Sequence, residues 1–440
     1  MPIRPSGPAL SAHRRLPSMA AALLACALAP ATHAQDTREV REPVLPPACA
    51  VLHASPAAAG QDDTKRIQAA IKACPPGRAL HLAAGDGAAA FVSGALTLGD
   101  GVTLVVDRGA TLYASTNPAL FDRGAGTCGT NDQNGKGCFP LITVKGGDGG
   151  GVMGEGVIDG QGGHLIDGKT ESWWQIARRA QKEKSRQNVP RLIVVERARD
   201  FTLYRITLRN SPNFHVSTNG VDGFTAWGVR IDTPSDARNT DGIDPGASRN
   251  ITIAHSYIRT GDDNVAIKAG SGMTENVSIV HNHFYSGHGM SIGSETNGGV
   301  RNILVEDLVM DGTTSGLRIK SNDKRGGEVR NVVYRDVCLN DIKWPLFIDT
   351  HYEQGEPGQL VPNYADIRME RVHSLTPGRI ALGGYDEARP LRLTLRDVVI
   401  KGKPQVKTEF ALFDGQLNAP GAKAVDCSGR FVPFPGDDAR

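Results

Sequence analysis

Short runs of alternating apolar and polar residues, separated by Gly, Asn or Asp, fill most of the chain. This pattern is typical of β-strands joined by tight turns. The sequence Asn, aliphatic, any residue, aliphatic begins at positions 250, 276, 302 and 331, so the first two intervals are 26 residues and the third is slightly longer. Weaker copies extend the repeat over residues 200–400. A nearly fixed period of this size indicates a solenoid.

One period has room for three short strands and three turns, and stacked coils place each strand in a long parallel sheet. The sequence therefore predicts an all-β fold, a parallel β-helix. The recurrent Asn250, Asn276, Asn302 and Asn331 then lie above one another at a turn, where their side-chain amides can hydrogen-bond along the stack. Asn250 and Asn276 also fit the glycosylation pattern, but recurrence at one phase favours the ladder.

Two segments depart from the strand pattern. Residues 62–72 begin with acids and place Ile67, Ala70 and Ile71 at helical spacing, which predicts a short helix that caps the N-terminal end of the solenoid. Residues 164–190 contain Trp173 and Trp174 followed by basic residues, which predicts a helical excursion packed by the tryptophans; it could also wall a groove. No linker divides residues 35–440, so we expect one domain there.

The composition limits the classes of molecule that the protein is expected to bind. The formal charge of +2 and an aromatic content of 5% exclude a nucleic-acid-binding charge field as the leading idea. A sequence pI near 8.1 is compatible with a polyanionic substrate.

The N-terminal segment, up to Ala34, has the pattern of an export signal. Basic residues precede an apolar run at 19–31, and small residues surround a cleavage position after Ala34. We expect a signal peptide at residues 1–34 and a secreted mature protein, extracellular or periplasmic. Arg14 and Arg15 leave a twin-arginine route open, and Cys26 leaves lipid attachment open. No later segment is long and apolar enough to span a bilayer, so we expect no membrane association.

Without Cys26, six cysteines remain, an even number that suggests disulfides in an oxidising compartment. Six cysteines allow 15 connectivities. We favour the pairing of neighbours, Cys49 with Cys74, Cys128 with Cys138, and Cys338 with Cys427. Their spacing lacks the close pairs of a zinc site.

A cluster of acids is the main candidate for chemistry. Asp262 and Asp263 follow Asp241 by about one coil, and His288 follows Asp262 by 26 residues, which equals the local repeat. We therefore expect all four side chains on one face of neighbouring coils. Adjacent strand residues point to opposite faces, so Asp262 and Asp263 can share a cleft only if Gly261 introduces a turn or bulge.

Crowded carboxylates raise one another's pKa, so one acid should keep its proton while the others stay charged. This supplies a general acid and a general base, a division of labour suited to cleavage of a glycosidic bond. A single turn acid is more often structural, and we interpret Asp244 in that way.

Basic residues follow two coils later. Arg318 and Lys320 alternate with aliphatic residues and so should point outward together. They could neutralise the acids, or hold a substrate carboxylate. Tyr352 comes about one coil later and is ambiguous on its own.

Five motifs together resemble the polygalacturonases of glycoside hydrolase family 28, most closely the bacterial endopolygalacturonases. They are NTDGIDP at 239–245, GDDNVAIK at 261–268, GHGMSIGSE at 287–295, LRIK at 317–320, and the tyrosine after IDT at 349–352. The resemblance covers residues 145–400 and implies a right-handed parallel β-helix.

The resemblance also implies hydrolysis of α-1,4-linked galacturonan with inversion, without a metal or cofactor. It implies that Asp262 donates a proton to the leaving oxygen and that Asp241 and Asp263 activate water. It further implies that His288 maintains the protonation pattern. Arg318 and Lys320 would bind the galacturonate carboxylate, and Tyr352 would line the cleft. Lys268 could add a galacturonate contact.

We expect a monomer that acts on polygalacturonate or pectin, preferentially in the endo mode. Exo action, a rhamnogalacturonan hydrolase, a calcium-dependent pectate lyase and a noncatalytic β-helical adhesin stay open. The loops at 120–140 and 353–363 would decide endo against exo action, because either could block one end of the groove.

Overall fold

The computed structural model describes residues 35–55, 61–353, 355 and 357–437. The signal peptide expected at residues 1–34 lies outside the described residues. The described residues all belong to one compact unit. Among the described helices, none has the length and apolar character needed to cross a membrane.

Short β-strands make up most of this unit. The strands of the first half are β1 Ala48–His53, β2 Ala79–Ala83, β3 Ala90–Ser93, β4 Leu96–Leu98, β5 Thr103–Val106, β6 Thr111–Ala114, β7 Thr130–Asp132, β8 Ile142–Lys145, β9 Gly151–Met153, β10 Val157–Asp159, β11 Arg186–Asn188, β12 Ile193–Glu196, β13 Arg199–Tyr204, β14 Thr207–Arg209, β15 Val216–Asn219, β16 Asp222–Trp227 and β17 Arg230–Asp232. Those of the second half are β18 Ile243–Asp244, β19 Arg249–Ala254, β20 Tyr257–Arg259, β21 Val265–Ile267, β22 Thr274–Tyr285, β23 Met290–Gly293, β24 Val300–Asp311, β25 Ser315–Lys320, β26 Glu328–Asn340, β27 Trp344–Asp349, β28 Asn363–Ser374, β29 Arg379–Gly383, β30 Leu391–Arg396, β31 Val399–Ile400, β32 Gln405–Glu409 and β33 Ala411–Asp414.

Each coil contributes strands to three faces, as the repeat predicted. In the central coils a single long strand serves two faces because it bends at a residue with positive φ; in β22 that residue is His281, at 57°. A short strand forms the third face. The short strands stack in parallel in the order β4, β8, β12, β15, β18, β21, β23, β25, β27, β29, β32, which we call the groove sheet. The parallel β-helix is confirmed.

Aliphatic columns fill the interior of the solenoid. In one column Ile251, Val277, Ile303, Val332 and Ile367 are aligned coil by coil, and none is exposed. Burial of such side chains is the main stabilising contribution to a fold of this kind.

The predicted asparagine ladder is present. Asn276 donates to Asn250 at 3.4 Å, Asn302 donates to Asn276 at 2.9 Å, and Asn331 donates to Asn302 at 2.8 Å. All four have a positive φ between 51° and 58°, a conformation that Asn tolerates better than most residues. The repeat therefore reflects both a backbone bend and a hydrogen-bonded stack.

Both predicted helices form. Helix α1, Thr64–Ala73, buries Ile67 and Ile71 in the core. Helix α2, Trp173–Lys182, starts at a capping box in which Ser172 and Gln175 bond each other's backbone. Trp173 packs edge-on against Phe121 with ring centroids 6.4 Å apart.

The three predicted disulfides are confirmed. They join Cys49 to Cys74, Cys128 to Cys138, and Cys338 to Cys427. The first connects β1 to the residue after α1, the second closes the 120–140 loop, and the third fixes the C-terminal segment to β26.

Candidate active site

The predicted acids lie at the start of consecutive strands of the groove sheet. Asp241 precedes β18, Asp262 and Asp263 precede β21, and His288 precedes β23. Backbone bonds hold these starts in register, since His288 donates to the carbonyl of Asp262 at 2.9 Å and Gly242 donates to the carbonyl of Asp263 at 2.9 Å. The four side chains border one pocket of about 510 Å³.

The predicted irregularity at Gly261 is present, because residues 260–264 lie in a turn between β20 and β21. A Cβ atom at Gly261 would lie 2.1 Å from the carbonyl oxygen of Ala237, so only glycine fits. The Gly261 amide donates to the hydroxyl of Thr240 at 3.1 Å. This close approach of two coils turns Asp262 and Asp263 toward the same cleft.

Asp262 is bound to the histidine. His288 Nδ1 lies 3.0 Å from Asp262 Oδ1, which also accepts from the backbone amide of Asp263 at 2.9 Å. Burial alone would raise the pKa of Asp262. The hydrogen bond and charge of His288, with the charge of Lys320, outweigh burial and bring the pKa of Asp262 below its ordinary value.

Asp263 lies at the centre of a buried ion cluster and is 1% exposed. Its Oδ1 accepts from Arg318 at 3.1 Å and from the hydroxyl of Ser291 at 2.8 Å, and its Oδ2 accepts from Lys320 at 2.8 Å. Burial acts to raise the pKa of Asp263, but the charges of Lys320 and Arg318 lower it overall. Asp263 therefore stays ionised.

Tyr352 forms the wall beside these cations. Arg318 lies 5.2 Å and Lys320 lies 5.3 Å from the centre of its ring, within the range of cation–π attraction. Tyr352, Lys320 and Asp262 face the pocket, whereas Arg318 lies behind, 8% exposed, against Phe347. The structure thus brings all seven predicted residues together.

Among the three predicted acids, Asp241 has the environment that most favours a protonated carboxyl group. It is 3% exposed, and its Oδ1 has no hydrogen-bond partner among the described residues. Burial and then the charges of Asp244 and Asp262 raise the pKa of Asp241 well above its usual range. Burial and neighbouring charge therefore favour a proton on Asp241 over one on Asp262 or Asp263.

His215, which the sequence did not single out, holds the Asp241 segment in place. Its ring Nδ1 lies 3.0 Å from the carbonyl oxygen of Asp241, and its Nε2 lies 2.7 Å from the hydroxyl of Thr233. Burial lowers the pKa of His215 to about 4, so the ring is neutral above that pH.

The interpretation of Asp244 as a turn residue is wrong. Asp244 belongs to β18, pairs with Ser217 of β15, and is 2% exposed. Burial raises its pKa to about 7, against the opposing charge of Lys268. The high turn propensity of Asp led to the wrong prediction. The role of Asp244 follows from its pairing with the neighbouring coil, which is seen only in the structure.

Lys268 joins several acids at the edge of the pocket. Its Nζ lies 3.7 Å from Asp244 Oδ2 and 3.5 Å from Glu295 Oε2. Burial opposes its charge, but Asp244 and Asp241 together raise the pKa of Lys268, so it stays cationic.

Helix α2 walls the same pocket, since Arg178 and Gln181 line it. Arg178 also pairs with Asp236 across the rim at 2.9 Å. The segment that carries the two tryptophans therefore has both of the roles considered for it.

Oxygen and nitrogen atoms of Asp262, Asp263 and His288 lie within 4.8 Å of one another, a spacing that could admit a cation. The lone pairs of Asp263 are already used by Arg318, Lys320 and Ser291, however, and His288 is bonded to Asp262. The donor set is that of an ion-paired cluster, and it fits protonic chemistry better than metal binding.

A parallel β-helix with paired carboxyl groups and neighbouring basic residues at an outer groove is the arrangement expected of a glycoside hydrolase that acts on an acidic polysaccharide. The family model for glycosyl hydrolases family 28 matches residues 106–412. An endo-polygalacturonase of Pectobacterium carotovorum subsp. carotovorum is 48% identical over 367 residues, which cover 83% of this chain and 90% of that protein.

A polygalacturonase of Ralstonia nicotianae is 42% identical, with 85% of each chain covered. The solved polygalacturonase of Erwinia carotovora ssp. carotovora superposes with a TM-score of 0.84 at 46% identity over 87% of this chain and all of that one. The chain belongs to glycosyl hydrolase family 28. It is therefore a hydrolase, and the lyase and adhesin interpretations do not apply.

Proposed function

We propose that this protein is a secreted endo-polygalacturonase that hydrolyses α-1,4-glycosidic bonds between galacturonate residues of pectin. One observation carries the proposal: three carboxyl groups whose environments favour different charge states line a pocket together with Lys320, and Arg318 lies directly behind it. A polymer with a carboxylate on every sugar fits a cationic contact beside the acids. The relatives at 42–48% identity are named for the same activity.

The groove supports endo action. Pocket-lining residues lie on, or directly beside, nine consecutive strands of the groove sheet, from Val194 on β12 to Lys407 on β32. At about 4.8 Å between strands, this surface is on the order of 40 Å long. The acids lie near its middle, so a polymer has room on both sides of the scissile bond.

In this proposal Asp262 protonates the leaving oxygen, while Asp241 and Asp263 activate water. His288 orients Asp262, Lys320 and Arg318 bind the galacturonate carboxylate, and Tyr352 lines its site. Before substrate binds, the proton is on Asp241 and Asp262 is ionised. Catalysis needs the opposite arrangement, with Asp262 protonated as the acid and Asp241 ionised as the base.

Binding of the substrate supplies the change. A galacturonate carboxylate that engages Lys320 balances one of the charges that lower the pKa of Asp262, and expulsion of water raises that pKa further. One proton moving from Asp241 to Asp262 then creates the general acid and the ionised base together. The number of protons in the cluster does not change.

We infer inversion from the resemblance of the motifs. Atoms of Asp262 and Asp263 lie within 4.8 Å of each other, closer than the roughly 6.5–9.5 Å common between acid and base in inverting enzymes. Asp241, one coil away, offers an alternative position for the attacking water. Proton NMR of the first anomer released decides the stereochemistry.

The proposal includes a signal peptide at residues 1–34, export, and a single catalytic domain at 35–440 that works as a monomer. The three disulfides support an oxidising compartment.

Incubation with polygalacturonic acid tests the function. We expect viscosity to fall much faster than reducing ends appear, with mixed oligomers as early products and no unsaturated product absorbing in the ultraviolet. Activity should survive a chelator. Steady release of one small product would indicate exo action, and absence of cleavage would refute the proposal.

A further inference from the structure

Asp244 is a buried acid whose carboxylate accepts no hydrogen bond from the described residues. Neither of its carboxylate oxygens has a hydrogen bond among the described residues, and each is almost without exposed surface. Burying an ionisable group without a hydrogen bond is costly, so such a group is kept for a reason other than stability. The nearest cation is Lys268, at 3.7 Å.

Direct contact with the substrate does not explain Asp244. Its oxygens are closed to solvent, although its side chain forms part of the floor under Lys268. A sugar in the groove would meet Lys268 first. Asp244 can therefore act on the reaction only through the charges next to it.

Two acids compete for the one lysine. Asp244 acts most strongly on the charge of Lys268, and Asp241 is second. One cation stabilises one neighbouring negative charge well, and a second charge at the same place is repelled by the first. Asp244, the acid that pairs with Lys268, therefore ionises first, with a pKa of about 7, and above that pH it leaves Asp241 protonated.

We propose that Asp244 is a positioning residue: by pairing with Lys268 it keeps the proton of the catalytic cluster on Asp241 until substrate binds. This inference rests on the proposed function of Asp241 and extends it. Asp244 touches neither substrate nor reacting atoms.

Other charged groups act on one or more of Asp241, Asp244 and Lys268. They are Asp262, Asp263, Glu295 and Arg191. Asp262 and Asp263 raise the pKa of both Asp241 and Asp244, Arg191 lowers that of Asp244, and Glu295 raises the pKa of Lys268. None of them is changed in the variants below, so shifts can be assigned to the pair.

The two members of the pair act on Asp241 in opposite directions. Asp244→Asn removes the negative charge that competes with Asp241 for Lys268, so the pKa of Asp241 falls. Lys268→Gln removes the cation that favours ionised Asp241, so its pKa rises. In the proposal the free enzyme is inactive once the proton on Asp241 is lost. The alkaline limb of kcat/KM should therefore shift with the pKa of Asp241.

The test is the pH dependence of kcat/KM on polygalacturonate for both variants of the full-length protein. We expect the alkaline limb to move to lower pH in Asp244→Asn and to higher pH in Lys268→Gln, each by on the order of 1 pH unit. Exposed Asp86→Asn and Lys401→Gln are charge-matched controls whose limbs should not move. Thermal unfolding of each variant identifies any loss of folded protein.

Movement of both limbs in the same direction, or of neither, would overturn the proposal. If Lys268→Gln raises KM but does not shift the alkaline limb of the kcat/KM profile, Lys268 acts only in substrate binding and the proposal is wrong. Carbon-13 NMR titration of labelled aspartate carboxyls in the same proteins needs no turnover. It therefore measures the coupling of the pair even if polygalacturonate is not the substrate.

Discussion

Lys320 has two partners during the proposed reaction, Asp263 in the free site and the galacturonate carboxylate in the complex. Its Nζ lies 2.8 Å from Asp263 Oδ2 and also faces the pocket. Arg318 holds the other oxygen of Asp263 from behind. The pair therefore neutralises Asp263, while Lys320 also faces the pocket where the proposed substrate carboxylate would bind.

Lys320→Met should weaken catalysis on polygalacturonate mainly through KM. Loss of one member of a buried charge pair commonly costs about 2–5 kcal/mol, so kcat/KM should fall by roughly 30-fold or more. Steady-state kinetics with the exposed Lys401→Met as control measure this. An unchanged KM would mean that the substrate carboxylate binds elsewhere.

His288→Gln should change the pH dependence of kcat. In the complex Asp262 must be protonated, and the hydrogen bond and charge of His288 hold its pKa down. Without them the pKa of Asp262 rises, so the alkaline limb of kcat should move to higher pH while kcat itself falls. A limb that moves to lower pH would contradict the assignment of Asp262 as the acid.

At the residue scale, the sequence predicted what repeats with the coil. Asp262 and His288 could be placed together because their separation equals one coil, and the turn at Gly261 followed from two adjacent acids that need one face. Asp244 and His215 could not be found in this way. Their importance comes from burial and from contacts across coils, which spacing does not reveal.

At the element scale, the asparagine ladder combines backbone and side-chain effects. Asn302 donates to Asn276 and accepts from Asn331, with φ at 58°. Asn302→Ala should lose both bonds and force alanine into a left-handed backbone conformation, a loss of about 2–4 kcal/mol in the free energy of unfolding. Denaturant unfolding measures it.

Asn302→Gly is the matched control because glycine tolerates positive φ while it also loses the two bonds. We expect it to destabilise the protein less than Asn302→Ala does. Equal losses would assign the whole effect to hydrogen bonds, and no loss in either variant would mean that the ladder does not stabilise the stack.

The presence of the strands could be predicted from the sequence, but their lengths could not. The repeat predicted short, separate strand runs within each coil, whereas the structure joins two such runs in β22. The two runs merge because His281 adopts positive φ and bends the strand without interrupting its pairing with β24. Local patterns do not carry that information.

At the scale of the whole molecule, the C-terminal segment is fastened by one long-range disulfide. Cys338 and Cys427 are separated by 89 residues, and Tyr285 donates to the carbonyl of Val432 at 2.9 Å beyond the link. Replacing both cysteines by Ala should lower the free energy of unfolding by about 2–5 kcal/mol. Thermal unfolding and limited proteolysis near residue 430 report the change.

The Cys128–Cys138 disulfide closes only 10 residues and serves as the comparison. Because loop-closure entropy grows with the closed length, its removal should cost less. A larger loss from the short loop would contradict the entropic explanation for this protein.

The whole-molecule architecture was the most predictable feature, because a regular repeat of one coil's length allows few alternatives to a stack of coils. The walls of the groove were less predictable. Helix α2 and the turn that carries Tyr352 are insertions between coils. Their positions depend on contacts that do not repeat from coil to coil, so the repeat does not predict them.

Cleavage of polygalacturonic acid by the wild type and by Asp262→Asn tests the central claim most directly. The account predicts that the variant folds with an unchanged unfolding midpoint, still binds the polymer, and shows no cleavage above background. Retention of substantial hydrolysis by a correctly folded Asp262→Asn protein would contradict it.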